Sequence, residues 1–332
     1  MRLHPPTRLA KFLGAAVLLL GPALCAADSS AVAESERKFK SGDFAGAITT
    51  LKQAVADDPS NAAAFYWLGR NYYEIRDYDN ASAMEEKAVA LSPKNSVYHQ
   101  WLGRAYGGKA DRDRSFFLAK KVKAQFQEAV KLDPSNIEAR MDLEEYCYSA
   151  PWIVGGNKDE AQAQVEAIAA LDPVQGHLAR AMYVSEALKK PAEAEAEYRA
   201  VLNAKPKDLD PYFSVANFFI HQNKPADVAA AVSAAAQASP NDPRLPFYRG
   251  VSGVLSGQDA APAERNLKAY LASTPDRSDW PSHASAREWL GRVYESQGDV
   301  AGAAEQYRAA LRLNPNMREA RDRLKKLGKD TQ

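Results

Sequence analysis

Apolar residues along this chain recur in helical steps and then break off together. Phe65, Leu68, Gly69 and Tyr72 form one stripe, because steps of three and four residues return to the same helix face. Ala81, Ala88 and Pro93 follow at fixed offsets. The same order returns far downstream as Leu290, Gly291, Tyr294, Gly298, Ala303, Tyr307, Ala310 and Pro315. The pattern predicts pairs of helices that approach closely through their small residues. The apolar stretches end in related phrases: AVADDPSN, AVALSPKN, AVKLDPSN, AIAALDP, AAQASPND and ALRLNPN. Proline disfavours helix at the residue before it, and the asparagine behind it is a good N-cap. Each phrase therefore reads as helix stop, turn and restart.

These prolines stand at Pro59, Pro93, Pro134, Pro173, Pro206, Pro240, Pro275 and Pro315, at intervals of 34, 41, 39, 33, 34, 35 and 40 residues. Repetition at such a period is the mark of a stacked array, in which one unit alone cannot bury its apolar face. The tetrapeptide Trp-Leu-Gly-Arg occurs three times, at Trp67–Arg70, Trp101–Arg104 and Trp289–Arg292. Each copy is followed by a tyrosine, Tyr72, Tyr106 or Tyr294.

The arrangement resembles the tetratricopeptide repeat, a 34-residue unit of two antiparallel helices. The match is clearest in the units ending at Pro93, Pro134 and Pro315 and in GDFAGAITTLKQAV of the first. The resemblance implies an all-α fold, a right-handed α-solenoid of about eight helix pairs over residues 28–315. Residues 316–332, amphipathic and strongly charged, then read as a capping helix and tail. The three long intervals carry insertions. GGKADRDRSFFLAKKVKAQ is expected to form a loop and an extended second helix. SAPWIVGG is expected to be an irregular loop whose Trp152, Ile153 and Val154 tuck over the neighbouring pair. TPDRSDWPSH is the third insertion.

The N-terminus departs from the repeat. Arg2, Arg8 and Lys11 precede the apolar run FLGAAVLLLGPALCAA, which ends in small residues before Asp28. This is the order of a secretory signal peptide over residues 1–27, with Cys25 and Ala27 at −3 and −1 of the cut. A lipid anchor on Cys25 is less suited, because Leu24 before it is large. Removal of residues 1–27 would leave 40 Lys and Arg against 42 Asp and Glu, net −2. The expected location is the periplasm, with no membrane span after cleavage. Cys147 would then be the only cysteine, so no internal disulfide could form.

Little chemistry is legible. A near-neutral balance gives no basic surplus for nucleic acid. Five scattered histidines, no paired cysteines, no HExxH and no glycine-rich phosphate loop leave no expected metal, cofactor or catalytic residue. Cys147 reads as a small buried hydrophobe, and Asp142, Glu144 and Glu145 as a solvated helix face.

The resemblance implies a concave groove lined by first helices that binds a protein or peptide. Its groove positions fall on Tyr66, Trp67, Arg70, Tyr73, Gln100, Trp101 and Arg104, with an extension through Met141, Glu145, Tyr148, Tyr183, Phe213 and Asn217. The family's tryptophan-like residue stands two positions earlier, where this chain has Phe65 and His99. At 100° per residue, Trp67 and Arg70 point away from Leu68, Gly69 and Tyr72. Two readings stay open for them: groove-lining anchors, since Trp and Arg dominate interfaces, or spacers between first helices with the arginines paired to Glu138 or Glu145. The lysine–asparagine positions of the family's chaperone-binding clamp hold Val32 and Glu36. The expected function is a non-enzymatic interaction scaffold of the cell envelope; alternatively, the tryptophans bind glycan or peptidoglycan fragments. A homo-oligomer is compatible with either.

Overall fold

The computed structural model describes residues 21–257 and 260–330, with side chains from Ser30 to Gly328 apart from that gap. The expected signal peptide lies outside the described residues up to position 20, and the side chain of Cys25 lies outside them too. Among the described residues there are seventeen α-helices and no strands. Sixteen helices form eight successive pairs. The first four are α1 (Gly21–Ser41) with α2 (Phe44–Asp57), α3 (Ala62–Glu74) with α4 (Tyr78–Leu91), α5 (Ser96–Asp113) with α6 (Phe116–Leu132), and α7 (Ile137–Ser149) with α8 (Lys158–Leu171). Then come α9 (Pro173–Met182) with α10 (Pro191–Ala204), α11 (Asp210–His221) with α12 (Pro225–Ala238), α13 (Leu245–Ser256) with α14 (Ala260–Ser273), and α15 (His283–Ser296) with α16 (Val300–Leu313). The last helix, α17 (Arg318–Asp330), buries Ala320 and Leu327 beside Tyr307 and Ala310 and so closes the open face of the eighth pair.

The repeated phrases act as punctuation. Asn61, Asn95 and Asn136 are N-caps whose side chains accept backbone N–H bonds from Ala64, Val97 and Ala139. Asp58 and Asp133 brace the preceding turns by accepting from Ser60 and Ser135. Within a pair, glycine sets the approach: a Cβ on Gly103 would collide with Phe126, and one on Gly291 with Tyr307. The turn between the two helices of every described pair contains one residue with positive φ. Four of these are glycines, but Arg76, Arg114, Lys189 and Asn223 occupy the position in units two, three, five and six.

First helices of successive units pack side by side as well as against their own partners, from α1 and α3 through to α13 and α15, whereas second helices of successive units make no comparable contact. The chain therefore curves with its first helices on the concave wall. All turns within pairs lie on one edge, and all turns between pairs on the other. The curve also meets itself. Ser278, in the loop between α14 and α15, donates from its backbone N and Oγ to the Glu74 carboxylate at 2.8 and 3.0 Å. In the same loop Arg277 lies over Phe39 of α1 at 5.0 Å, and Pro275 abuts Gly42.

Several expectations are corrected. The long third unit extends its first helix as well as its second, since α5 runs for 18 residues and α6 for 17. Only Val154 of the Trp152–Val154 turn tucks in; Trp152 and Ile153 are 83 % and 56 % exposed. The acidic run is not wholly solvated either, because Glu144 is buried.

Candidate functional site

Three predicted groove residues, Arg70, Tyr73 and Arg104, meet at a fourth, Trp101, which is 9 % exposed, and Tyr66 and Trp67 join them through Arg70. The Trp101 ring carries two guanidinium groups, with Arg70 at 3.5 Å and Arg104 at 4.6 Å from the centroid. Arg70 comes from α3 and Trp101 from α5, so the contact joins units two and three. Arg70 also lies 5.0 Å from Phe39 and 5.4 Å from Trp67, and donates to the Tyr66 hydroxyl at 2.8 Å. Its Nε is buried without an acceptor. Trp67 packs edge-on against Phe39 and Tyr66, and Tyr73 edge-on against Trp101. Burial pushes the Tyr73 phenol up to about 12.

Arg104 reaches forward to unit four, where its Nε donates to Asp142 at 2.8 Å and its other end lies 3.6 Å from Glu138. The buried Gln100 amide donates to the same Asp142 oxygen at 2.7 Å. Burial raises the Asp142 pKa, and the Arg104 charge works against that rise. The Trp-Arg pair is therefore a seam between first helices, and the arginines find their partners inside the chain. Of the two expected acceptors, Glu138 and Glu145, Glu138 is a more distant contact, and the main partner, Asp142, was not among them.

Two buried carboxyls, one on α4 and one on α7, have unpartnered oxygens. Both carboxyl oxygens of Glu85, on α4 against Gly69, are buried without hydrogen bonds, and burial drives its pKa well above the usual range despite Arg70. Glu144 Oε1 is likewise buried and bare, and burial, reinforced by Glu145, pushes that pKa up to about 9.

The seam borders an open cleft of about 670 Å³ between α5, α6 and α7. Of the predicted residues, Tyr73, Arg104 and Glu145 line it, whereas Tyr66, Trp67, Gln100 and Trp101 do not. Its floor and walls include Gly107, which falls at a groove-facing position of the repeat, and Gly108, Phe126 and Tyr146, which the repeat pattern does not single out. The adjacent glycines in a helix were the available signal: at Gly107 a Cβ would meet nothing within 4 Å, so the position faces empty space. The remaining predicted residues are more dispersed. Met141 is half-buried, and Tyr148 meets Tyr183 edge-on at 6.5 Å. Phe213 is buried, stacked on Tyr248 at 4.6 Å, and the exposed Asn217 lies beside it. Both line a second cleft of about 410 Å³, roofed by Ser278–Pro281 of the clasping loop. Within that loop Trp280 lies 4.8 Å from Arg277 and 5.7 Å from Arg244.

Cys147 is buried, and burial pushes its thiol up to about 12, which leaves it protonated and unreactive. Among the described residues no group of three or more His, Cys, Asp or Glu side chains could hold a metal ion.

A family model described as tetratricopeptide repeat matches residues 32–96 and 255–318. No curated protein matches the chain significantly. Among solved structures, the APC/C heterotetramer Cut9–Hcn1 is similar over 90 % of this chain and 56 % of that one, at 14 % identity and a TM-score of 0.50. A tetratricopeptide repeat protein from Parabacteroides merdae is similar over 91 % and 99 %, at 15 % identity and 0.49. An O-GlcNAc transferase from Thermobaculum terrenum aligns over 47 % of this chain at 20 % identity and 0.40; the chain spans 28 % of its length.

Proposed function

The chain belongs to the tetratricopeptide-repeat family, and we propose that it is a non-enzymatic binding scaffold of the cell envelope. In this reading it holds a segment of a partner protein in the cleft between α5 and α7. The observation that carries the reading is the cleft itself. Three predicted groove residues line it, it is open, and it pairs apolar walls (Tyr73, Phe126) with fixed polar groups (Arg104, Asp142, Glu145). That mixture orients a segment through a few polar contacts while most of its contact area stays apolar. The rest of the concave wall is less available, since the loop around Ser278 covers units six and seven and reaches units one and two. Export rests on the basic-apolar-small order of the first 27 residues. The glycan reading loses support from the geometry, because stacking a sugar needs a free ring face, and the Trp101 ring is buried with two guanidinium groups upon it.

The test is a photo-crosslinking residue at Gly107, compared with one at the exposed Glu166 of α8, each in the native cell. Capture of one defined partner from position 107 and not from 166 is the expected result. Equal capture from both positions would remove the cleft from the account.

A further inference from the structure

The four most exposed large apolar side chains among the described residues stand together on one edge of the solenoid. They are Phe116 (68 %), Phe117 (69 %), Trp152 (83 %) and Ile153 (56 %). Both pairs lie in or beside the turns within helix pairs, in the adjacent units three and four. Phe116 and Val154 line the mouth of the same cleft. The exposure is built in, not slack. The Tyr146 hydroxyl lies 2.7 Å from the Ala119 carbonyl and 2.9 Å from that of Val154, and Lys123 donates to the Gly155 carbonyl at 2.7 Å. These bonds pin the Trp152 turn onto the first turns of α6.

The charge on that edge leans to the positive. Residues 107–125 hold six Lys and Arg against two Asp, net +4 in a chain whose whole balance is +1; Lys109 and Arg112 pair with Asp79, and Lys123 with Glu160, which leaves the charge of Arg114, Lys120 and Lys121. In units two and three the positive-φ residue of the turn is Arg76 and Arg114, where glycine would be unstrained. Both side chains are exposed, so the chain accepts a strained backbone and keeps cations beside the aromatic patch. Tryptophan and phenylalanine at the surface with lysine and arginine around them is the chemistry that seats a protein at the interface of an anionic bilayer. Among the described residues no helix is long and apolar enough to cross a membrane.

We propose that the edge formed by Phe116, Phe117, Trp152 and Ile153, flanked by Arg76 and Arg114, docks the protein on an anionic phospholipid surface. This stands independently of the partner cleft. The experiment is co-sedimentation of the full chain with phosphatidylglycerol–phosphatidylethanolamine vesicles, against phosphatidylcholine vesicles as control. Lipids brominated in the acyl chain report insertion of Trp152 by quenching. The expected result is binding to the anionic vesicles only, weakened by salt, with a quenched component that disappears in Trp152→Phe. The paired change Phe117→Ser with Trp152→Ser lowers binding at least about tenfold and leaves helicity unchanged. Arg76→Gly with Arg114→Gly also weakens it while thermal stability holds or rises, a split that a structural role for those arginines would not give. Undiminished sedimentation of the Phe117→Ser, Trp152→Ser variant would overturn the proposal, since the N-terminal apolar run would then be the anchor. Wild-type protein that ignores both vesicles, yet self-associates through Phe117, would overturn it in favour of a protein interface.

Discussion

The Trp-Leu-Gly-Arg copies of units two and three and the copy of unit eight share four residues, yet their arginines do different work. Arg70 leans onto the tryptophan of the next unit, and Arg104 shares that ring while reaching Asp142 of the unit after. Units two, three and four are thereby tied in a row. Unit eight has no ninth pair to lean on. There Arg292 folds over its own Trp289 at 3.9 Å and pairs with the buried Glu288 at 2.6 Å. Arg323 of α17 approaches Glu288 at 3.6 Å and donates to Glu295 at 2.6 Å. The leucine and glycine of the motif are buried in every copy, whereas the tyrosines of units three and eight reach back to the preceding unit, Tyr106 to Glu86 and Tyr294 to Glu264. The tryptophan and arginine face the neighbouring unit, so what stands next door decides their role.

The largest effect belongs to Trp101. Trp101→Ala leaves a cavity beside two guanidinium groups and should cost about 3–5 kcal/mol, whereas Trp67→Ala, at a half-buried site, should cost clearly less in the same denaturation series. A loss at Trp101 no greater than at Trp67 would remove the seam from the account.

The arginines sharpen the contrast. Arg292→Met strands the buried Glu288 with only the more distant Arg323, which should cost about 3 kcal/mol. Arg70→Met removes cation–π contacts and one hydrogen bond to Tyr66, with no ion pair broken, and should cost about 1 kcal/mol. Chemical unfolding of the two variants side by side reads the difference, and equal losses would contradict the distinction.

Glu144 is the case of a buried carboxyl with no arginine at all. Its folded pKa, about 9, lies above the ordinary value of 4.5. Below the ordinary value both folded and unfolded chains hold the proton and nothing changes. Above it the unfolded chain ionises while the folded chain stays neutral, so stability falls as pH rises toward 9. The slope from this group is at most about 1.4 kcal/mol per pH unit. Unfolding midpoints of wild type should therefore drop more steeply between about pH 5 and about pH 8 than those of Glu144→Gln. Parallel pH profiles would refute the burial of an uncompensated carboxyl.

The helix pairs and their caps were legible because they are local. Period, proline and asparagine each act within a few residues, and Asn61, Asn95 and Asn136 sit where the phrases put them. The side of the helix that Trp67 and Arg70 take was legible too, from angle alone. What they touch was not, since Arg70 on Trp101 depends on how far one unit rotates against the next. The clasp from Ser278 to Glu74 spans 204 positions and needs almost the whole curve before it can form. Trp152 was expected inside because apolar residues usually are; of the bonds that hold its turn outward, that from Tyr146 is local, but that from Lys123 comes from α6, 32 positions away. The cleft was hidden for a similar reason, as the lengthened α5 and the α7 turn create it together.

The central claim is that the Trp-Arg seam is scaffold and the cleft beside it is the site. The most direct measurement is partner affinity of Gly107→Trp, using the segment captured at that position. The substitution starts where a Cβ has nothing within 4 Å, projects into the cleft and removes a helix-weakening glycine. Lost binding with an unchanged or higher unfolding midpoint is the expected result. Wild-type affinity in that variant would contradict the claim.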